Sequence, residues 1–217
     1  MDPHFKPETE QHLAAFFTRH PELSPMRDQI VLAIRTIAEA FANGHKLLLC
    51  GNGGSCADCD HIAGELLKGF LKKRPISSGL RAKLLDDKEG APLAEALQQG
   101  LPAISLCTHS AAISAFANDV EAKYVYAQQV LAYGREGDIL LAISTSGNAK
   151  NVNAAAITAK AMGLFVIGLT GKTGGSLADK ADLLLSVPET ETNRIQEYHL
   201  MVYHLLCASI ESELFDS

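Results

Sequence analysis

Apolar residues in the first 44 positions recur every three or four residues, through PETEQHLAAFF and then DQIVLAIRTIAEAF, the period of a helix with one buried face. Two helices are therefore predicted before any strand. The pattern then changes, because KLLLC at 46–50 is a short apolar run ended by Gly51-Asn52-Gly53-Gly54-Ser55, after which 56–71 returns to a helical period. Four more apolar runs follow at 103–107, 138–143, 164–169 and 182–187, and the second of these closes on Ser144-Thr145-Ser146-Gly147-Asn148 ahead of a helical stretch at 149–162. These runs are continuously apolar instead of alternating, which predicts strands covered on both faces in a parallel sheet. Strands separated by helix-length segments specify an α/β fold, a doubly wound, five-stranded parallel sandwich of the flavodoxin-like kind, with ligands bound outside the carboxyl ends of the strands. Over 192–214, Ile195, Tyr198, Val202, Leu205, Leu206 and Ile210 mark a long final helix, with Pro188 just ahead of it. Segment 76–100 has no strand signal and one helical stretch, in PLAEALQQG; it reads as an insertion within a single domain over 1–217.

Composition narrows the partners. A length of 217 residues suits one domain with additions, and the net charge of -6 argues against a protein that grips nucleic acid by bulk electrostatics. The opening MDPHFKPETEQH lacks the basic-then-apolar order of a signal peptide, and no apolar run approaches the roughly 20 residues that span a bilayer. The expectation is a soluble, cytoplasmic protein without nucleic-acid or membrane partners. Five cysteines are an odd number for a disulfide framework. Cys56 and Cys59 form a C-x-x-C, but their flanks are those of a phosphate loop and not of a thioredoxin motif; Cys50, Cys107 and Cys207 sit in apolar runs and read as core.

The two loops after strands carry the first chemistry. Gly51-Asn52-Gly53-Gly54-Ser55 allows close backbone approach, and the helix behind it offers unpaired amides to an anion; on its own it reads equally as a turn. The G-x-G-x-x-G spacing fails at Cys56, and no Walker lysine follows. Ser144, Thr145 and Ser146 put three hydroxyls in a row before a helix, whereas a cap worth about 1 kcal/mol needs one. Three hydroxyls without a lysine suit the phosphate of a small metabolite held by neutral donors.

His61 and Glu65 are four residues apart on a predicted helix, about 6 Å along its axis, and so share a face. Such a pair can share a metal or a proton, or simply face solvent. Gln196, Glu197, His199 and His204 interrupt the apolar pattern of the last helix, where a histidine reads equally as a hydrogen-bonded core residue.

Together GNGGS, Asn118-Asp119, GREGDILLAISTSGN at 134–148, LTGKTGG at 169–175 and RIQEYH at 194–199 resemble the SIS (sugar isomerase) family, and within it the phosphoheptose isomerases. The resemblance implies an aldose-ketose isomerase that converts sedoheptulose 7-phosphate to a mannoheptose 7-phosphate through an enediol, and a homotetramer. It implies that Glu65 and His204 are the catalytic acid and base. It also implies that His61, Glu65, Gln196 and His204 hold a divalent metal, usually zinc. Substrate contacts would come from Asn52, Gly53, Gly54, Ser55, Glu65, Asn118, Asp119, Ser144, Thr145, Ser146 and Gln196, with Asp119 reading equally as a turn residue. The chain departs from that family at Ala149, where a serine is common, at Asn193, where an aspartate is common, and in segment 76–100, which the short members lack. A different reading is a non-catalytic SIS-fold protein like the factor that binds the initiator DnaA, whose branch lacks the positions matching Glu65 and His204. A sugar-phosphate-sensing regulator is a third, with no room here for a separate DNA-binding domain.

Overall fold

The computed structural model describes residues 5–216. Its elements in chain order are α1 Pro7–Arg19, α2 Arg27–Ala42, β1 Leu47–Cys50, α3 Gly54–Leu67, α4 Ser78–Leu85, α5 Gly90–Ala96, β2 Ala103–Ser105, α6 Ser110–Phe116, α7 Val125–Tyr133, β3 Ile139–Ser144, α8 Lys150–Ala161, β4 Phe165–Thr170, β5 Leu183–Ser186 and α9 Thr192–Leu214. The five strands form one parallel sheet in the order β2-β1-β3-β4-β5. Each strand sends alternate residues to opposite sides. Leu47, Leu49, Leu141 and Ile143 join a core with α1, α2, α3 and α9, while Leu48, Cys50, Leu140 and Ala142 join a second core with α7 and α8. That is why the strands carry no polar alternation: both faces are covered.

In this strand order the winding direction reverses between β1 and β3, and the loops that leave those neighbouring strands diverge to opposite faces. The crevice at such a switch point is where open α/β sheets bind ligands. Gly51 to Ser55 and Ser144 to Asn148 are those two loops.

Two local expectations change. The helix expected over 56–71 stops at Leu67. The backbone amides of Phe70, Leu71 and Lys72 donate instead to the carboxylate of Glu211, at 2.8, 2.7 and 3.1 Å, and so cannot continue the helical ladder. Segment 76–100 contains a second helix, α4, capped by Ser77, whose Oγ accepts from the Leu80 amide at 3.3 Å.

His199 is fully buried on α9, yet neither ring nitrogen makes a well-formed hydrogen bond. Burial pulls its pKa down to about 4, and the nearby Thr170 backbone offsets only part of that. A depressed folded-state pKa favours the unfolded chain once the ring protonates. Its contribution is therefore complete above about pH 6.5 and is lost as pH falls toward 4, on the order of 3 kcal/mol in all. Urea titrations at about pH 7 and about pH 5 should show His199→Leu losing less stability across that interval than the native chain, by about 2 kcal/mol. Equal losses in the two proteins would contradict this assignment.

Candidate active site

The first loop adopts its shape because Gly53 has a positive φ of 56° and Gly54 has no side chain. A Cβ on Gly54 would occupy the place of the Gln196 amide, so α9 packs directly onto the start of α3. Asn52 is held by a reciprocal amide pair with Asn151, both bonds at 2.8 Å. Tyr126 Oη, at 2.5 Å, donates to the Gly51 carbonyl. The second loop turns at Gly147, whose amide donates to the Ser144 carbonyl at 3.0 Å. The residue at the cap position of α8 is Ala149, which offers no side-chain acceptor. The hydroxyls of Ser144 and Thr145 are therefore not spent on capping.

Between the loops lies a cavity of about 330 Å³. Asn52, Gly53, Gly54 and Ser55 line one side, Ser144, Thr145 and Ser146 another, and Gln196 and Thr192 close it from α9. Ala149 also lines it and offers no hydroxyl. Thr192 went unread in the sequence, because its hydroxyl stands at the start of a helix where a capping role is the ordinary expectation. The amides of Ser55, Cys56 and Ala57 donate to the Asn52 and Gly53 carbonyls, so the unpaired helix-start amides expected from the sequence are mostly satisfied. It is the clustered hydroxyls of Ser55, Ser144, Thr145 and Ser146 that suit this cavity, the cradle, to a small anion.

The helices α3 and α9 run side by side in the same direction. Gly54 meets Gln196, His61 meets His204 with ring centroids 5.0 Å apart, and the chain just beyond α3 meets Glu211. Seven residues of α3 separate Gly54 from His61, about 10 Å of rise. At that distance from the cradle, His61 Nε2 lies 3.3 Å from Glu65 Oε1, and Lys68 Nζ reaches Glu65 Oε2 at 3.0 Å. His204 Nε2 is buried and unpartnered. Burial lowers the His204 pKa, the neighbouring His61 lowers it further, and Glu65 opposes both. At neutral pH this imidazole is therefore a neutral group able to take up a proton. His204 also faces a second opening of about 290 Å³, shared with His12, Phe16, Arg19 and Phe70.

His61, Glu65 and His204 thus form one cluster, while Gln196 stays at the cradle. Asn118 and Asp119 lie on an exposed turn of π-helix, joined to each other at 2.8 Å and outside the cradle lining. Two imidazoles and a carboxylate are the donor types of an open, catalytic metal site, and the unpartnered His204 nitrogen fits a ligand's role. As the side chains stand, no three His, Cys, Asp or Glu groups among the described residues are close enough to hold an ion. The cysteines are all free, and Cys107, expected in the core, is half-buried against the first loop with Sγ 3.4 Å from the Gly51 carbonyl.

The model of the SIS domain matches residues 23–99 and 88–171. The phosphoheptose isomerase of Roseiflexus sp. is 41% identical over 187 residues, 86% of this chain and 83% of that protein. This chain belongs to the SIS domain family, in its phosphoheptose isomerase branch. Solved phosphoheptose isomerases share the fold of this SIS protein. The one from Neisseria gonorrhoeae superposes with a TM-score of 0.72 at 34% identity, covering 94% of this chain and 96% of that one. The one from Francisella tularensis gives 0.73 at 31% identity, covering 88% and 90%. The cradle of this SIS protein is therefore built at the switch point of a sheet it shares with those isomerases.

Proposed function

We propose that this protein is an aldose-ketose isomerase that interconverts sedoheptulose 7-phosphate and D-glycero-D-manno-heptose 7-phosphate. The observation that carries this reading is the alignment of α3 and α9. The hydroxyl-lined cavity lies at one end and the carboxylate-imidazole cluster two turns further along, a spacing that supports the reading. A seven-carbon sugar held by its terminal phosphate is long enough to bring its carbonyl end to that cluster.

The reaction moves one proton between C1 and C2 and a second between their oxygens. In the proposal the phosphate sits among Ser55, Ser144, Thr145 and Ser146, with Asn52, Gly53 and Gly54 presenting backbone and amide donors and Gln196 and Thr192 closing the near side. Glu65 removes the proton from the carbon beside the carbonyl and returns it to the neighbouring carbon, so one carboxylate serves both half-reactions. His204, from the other helix and neutral at rest, accepts and returns the proton that passes between the oxygens. Asn118 and Asp119 belong to the proposed substrate contacts only by family resemblance; they would have to approach from outside the cradle.

A divalent metal, zinc by the donor set, is part of the same proposal, with His61, Glu65 and His204 holding it and Gln196 joining only if its amide leaves Gly54. When bound, it supplies an electropositive centre for the oxyanion of the enediol. Assembly as a homotetramer in the cytoplasm completes the proposal. Among the described residues no helix is long and apolar enough to cross a membrane. The reading as a non-catalytic binding protein is disfavoured, because Glu65 and His204 are both retained and brought to one cluster.

The test is turnover of a panel of ketose phosphates by the native protein, before and after chelation. Heptose phosphate should be isomerised, with activity falling at least about tenfold on chelation and returning with added zinc. No turnover of any heptose phosphate by the zinc-loaded protein would overturn the assignment.

A further inference from the structure

His61 is tied on its other side to a chain of polar groups that the reaction does not consume. Its Nδ1 lies 2.9 Å from the hydroxyl of Tyr203, and that hydroxyl lies 3.3 Å from Asp58 Oδ1. Tyr203 is only 1% exposed, and its ring meets those of His61 and His204 edge-on at centroid distances of 5.5 and 5.0 Å. Asp58 stands one turn before His61 on the same helix. None of this reaches the cradle, since neither Tyr203 nor Asp58 lines it.

The proton inventory gives this chain a direction. An ionised carboxylate only accepts, and a phenol has one proton to give. With that proton directed at Asp58, the Tyr203 oxygen is left to accept from His61, so the imidazole carries its proton on Nδ1. Its lone pair then sits on Nε2, the nitrogen that faces Glu65 Oε1 at 3.3 Å. A lone pair opposite a carboxylate oxygen is favourable only with a positive charge between them, a second ring proton when no metal is bound or the cation itself when one is. A fixed outer hydrogen bond that sets the tautomer of a histidine is the usual support of a metal-binding imidazole.

We propose that Tyr203 and Asp58 are positioning residues that lock His61 as its Nδ1-protonated tautomer and aim Nε2 at a cation shared with Glu65. This rests on the metal-assisted isomerase reading above and deepens it. Tyr203 acts on the ring of His61 and touches no substrate. The sequence hid it, because position 203 falls in the apolar period of the last helix and a buried tyrosine reads there as core.

Tyr203→Phe tests this, since it removes one hydroxyl and keeps the ring that packs against both histidines. Nitrogen-15 NMR of the full-length native protein should show the His61 ring protonated at Nδ1, and the variant should lose that signature. Zinc affinity, measured by competition with a chromophoric chelator, should fall by about 10- to 100-fold. For heptose phosphate, kcat should fall with it at subsaturating zinc, while KM stays within about twofold because the cradle is untouched. Asp58→Asn keeps an acceptor for the Tyr203 proton but removes its charge, so a weaker change in the same direction is expected; it also serves if Tyr203→Phe does not fold. An unchanged His61 spectrum with unchanged zinc affinity in the folded variant overturns the positioning role. A native protein that turns over no heptose phosphate would instead overturn the isomerase reading, and the His61 spectra would still decide the role of Tyr203.

Discussion

Glu65→Gln is expected to lower kcat for heptose phosphate isomerisation by about a thousandfold, or roughly 4 kcal/mol of transition-state stabilisation. The substitution keeps the shape of the side chain and one acceptor oxygen but removes the base. In the proposed reaction that base takes the proton from one carbon and returns it to the next, so both halves of the reaction stop. Binding should change little, because the cavity proposed to hold the phosphate lies at the far end of α3. Stability should also change little. The Lys68 partner is well exposed and such a pair contributes at most about 1 kcal/mol. Steady-state kinetics should therefore show kcat collapsing at nearly constant KM, with a melting temperature close to that of the native protein. Equal activity in the two proteins would remove Glu65 from the reaction and leave the cluster a structural feature.

The sheet was legible because strands covered on both faces must be continuously apolar, and KLLLC and DILLAI have no other good explanation. The final helix was legible over its whole length for a related reason: Ile195, Val202, Leu205, Leu206 and Ile210, spread over about four turns, can be buried only on one helical face. What escaped were features decided by distant partners. α4 buries none of its residues, so it left no period to read. The early end of α3 depends on Glu211, roughly 140 positions away in the chain, and nothing local to 68–72 announces it. The site divides in the same way. Glycines and hydroxyls bunched at strand ends point to a cradle, and a four-residue spacing points to His61 with Glu65. Gln196 shows the limit of such reasoning: its polarity within an apolar pattern was visible, but which end of the site its amide serves was decided by the missing side chain at Gly54.

Removing Glu211 should destabilise the fold by about 3 to 5 kcal/mol, a large part of the 5 to 15 kcal/mol typical of a domain. Arg74 and Glu211 are both fully buried, with Nε and Oε1 2.7 Å apart. The carboxylate also accepts the amides of Phe70, Leu71 and Lys72, and Arg74 Nη1 donates to the Leu66 carbonyl at 2.7 Å, its flat face lying over the Phe215 ring. Glu211→Ala would leave one fully buried guanidinium and three partly buried amides without their acceptor. A buried ion pair can often be replaced by an apolar pair of similar volume without loss. Here that exchange should fail, because three backbone donors would remain after Arg74→Met is combined with Glu211→Leu. Urea unfolding of the two single variants and the double variant separates the cases: the double should recover only part of the loss, and full recovery would show that water reaches the 70–72 amides. Activity should follow stability in this region. Arg74 Nη2 also reaches the Glu65 carbonyl, at 3.4 Å. A loosened clamp frees the last turn of α3, which carries the carboxylate proposed as the base, so Arg74→Met should lower kcat even at temperatures where the protein remains folded.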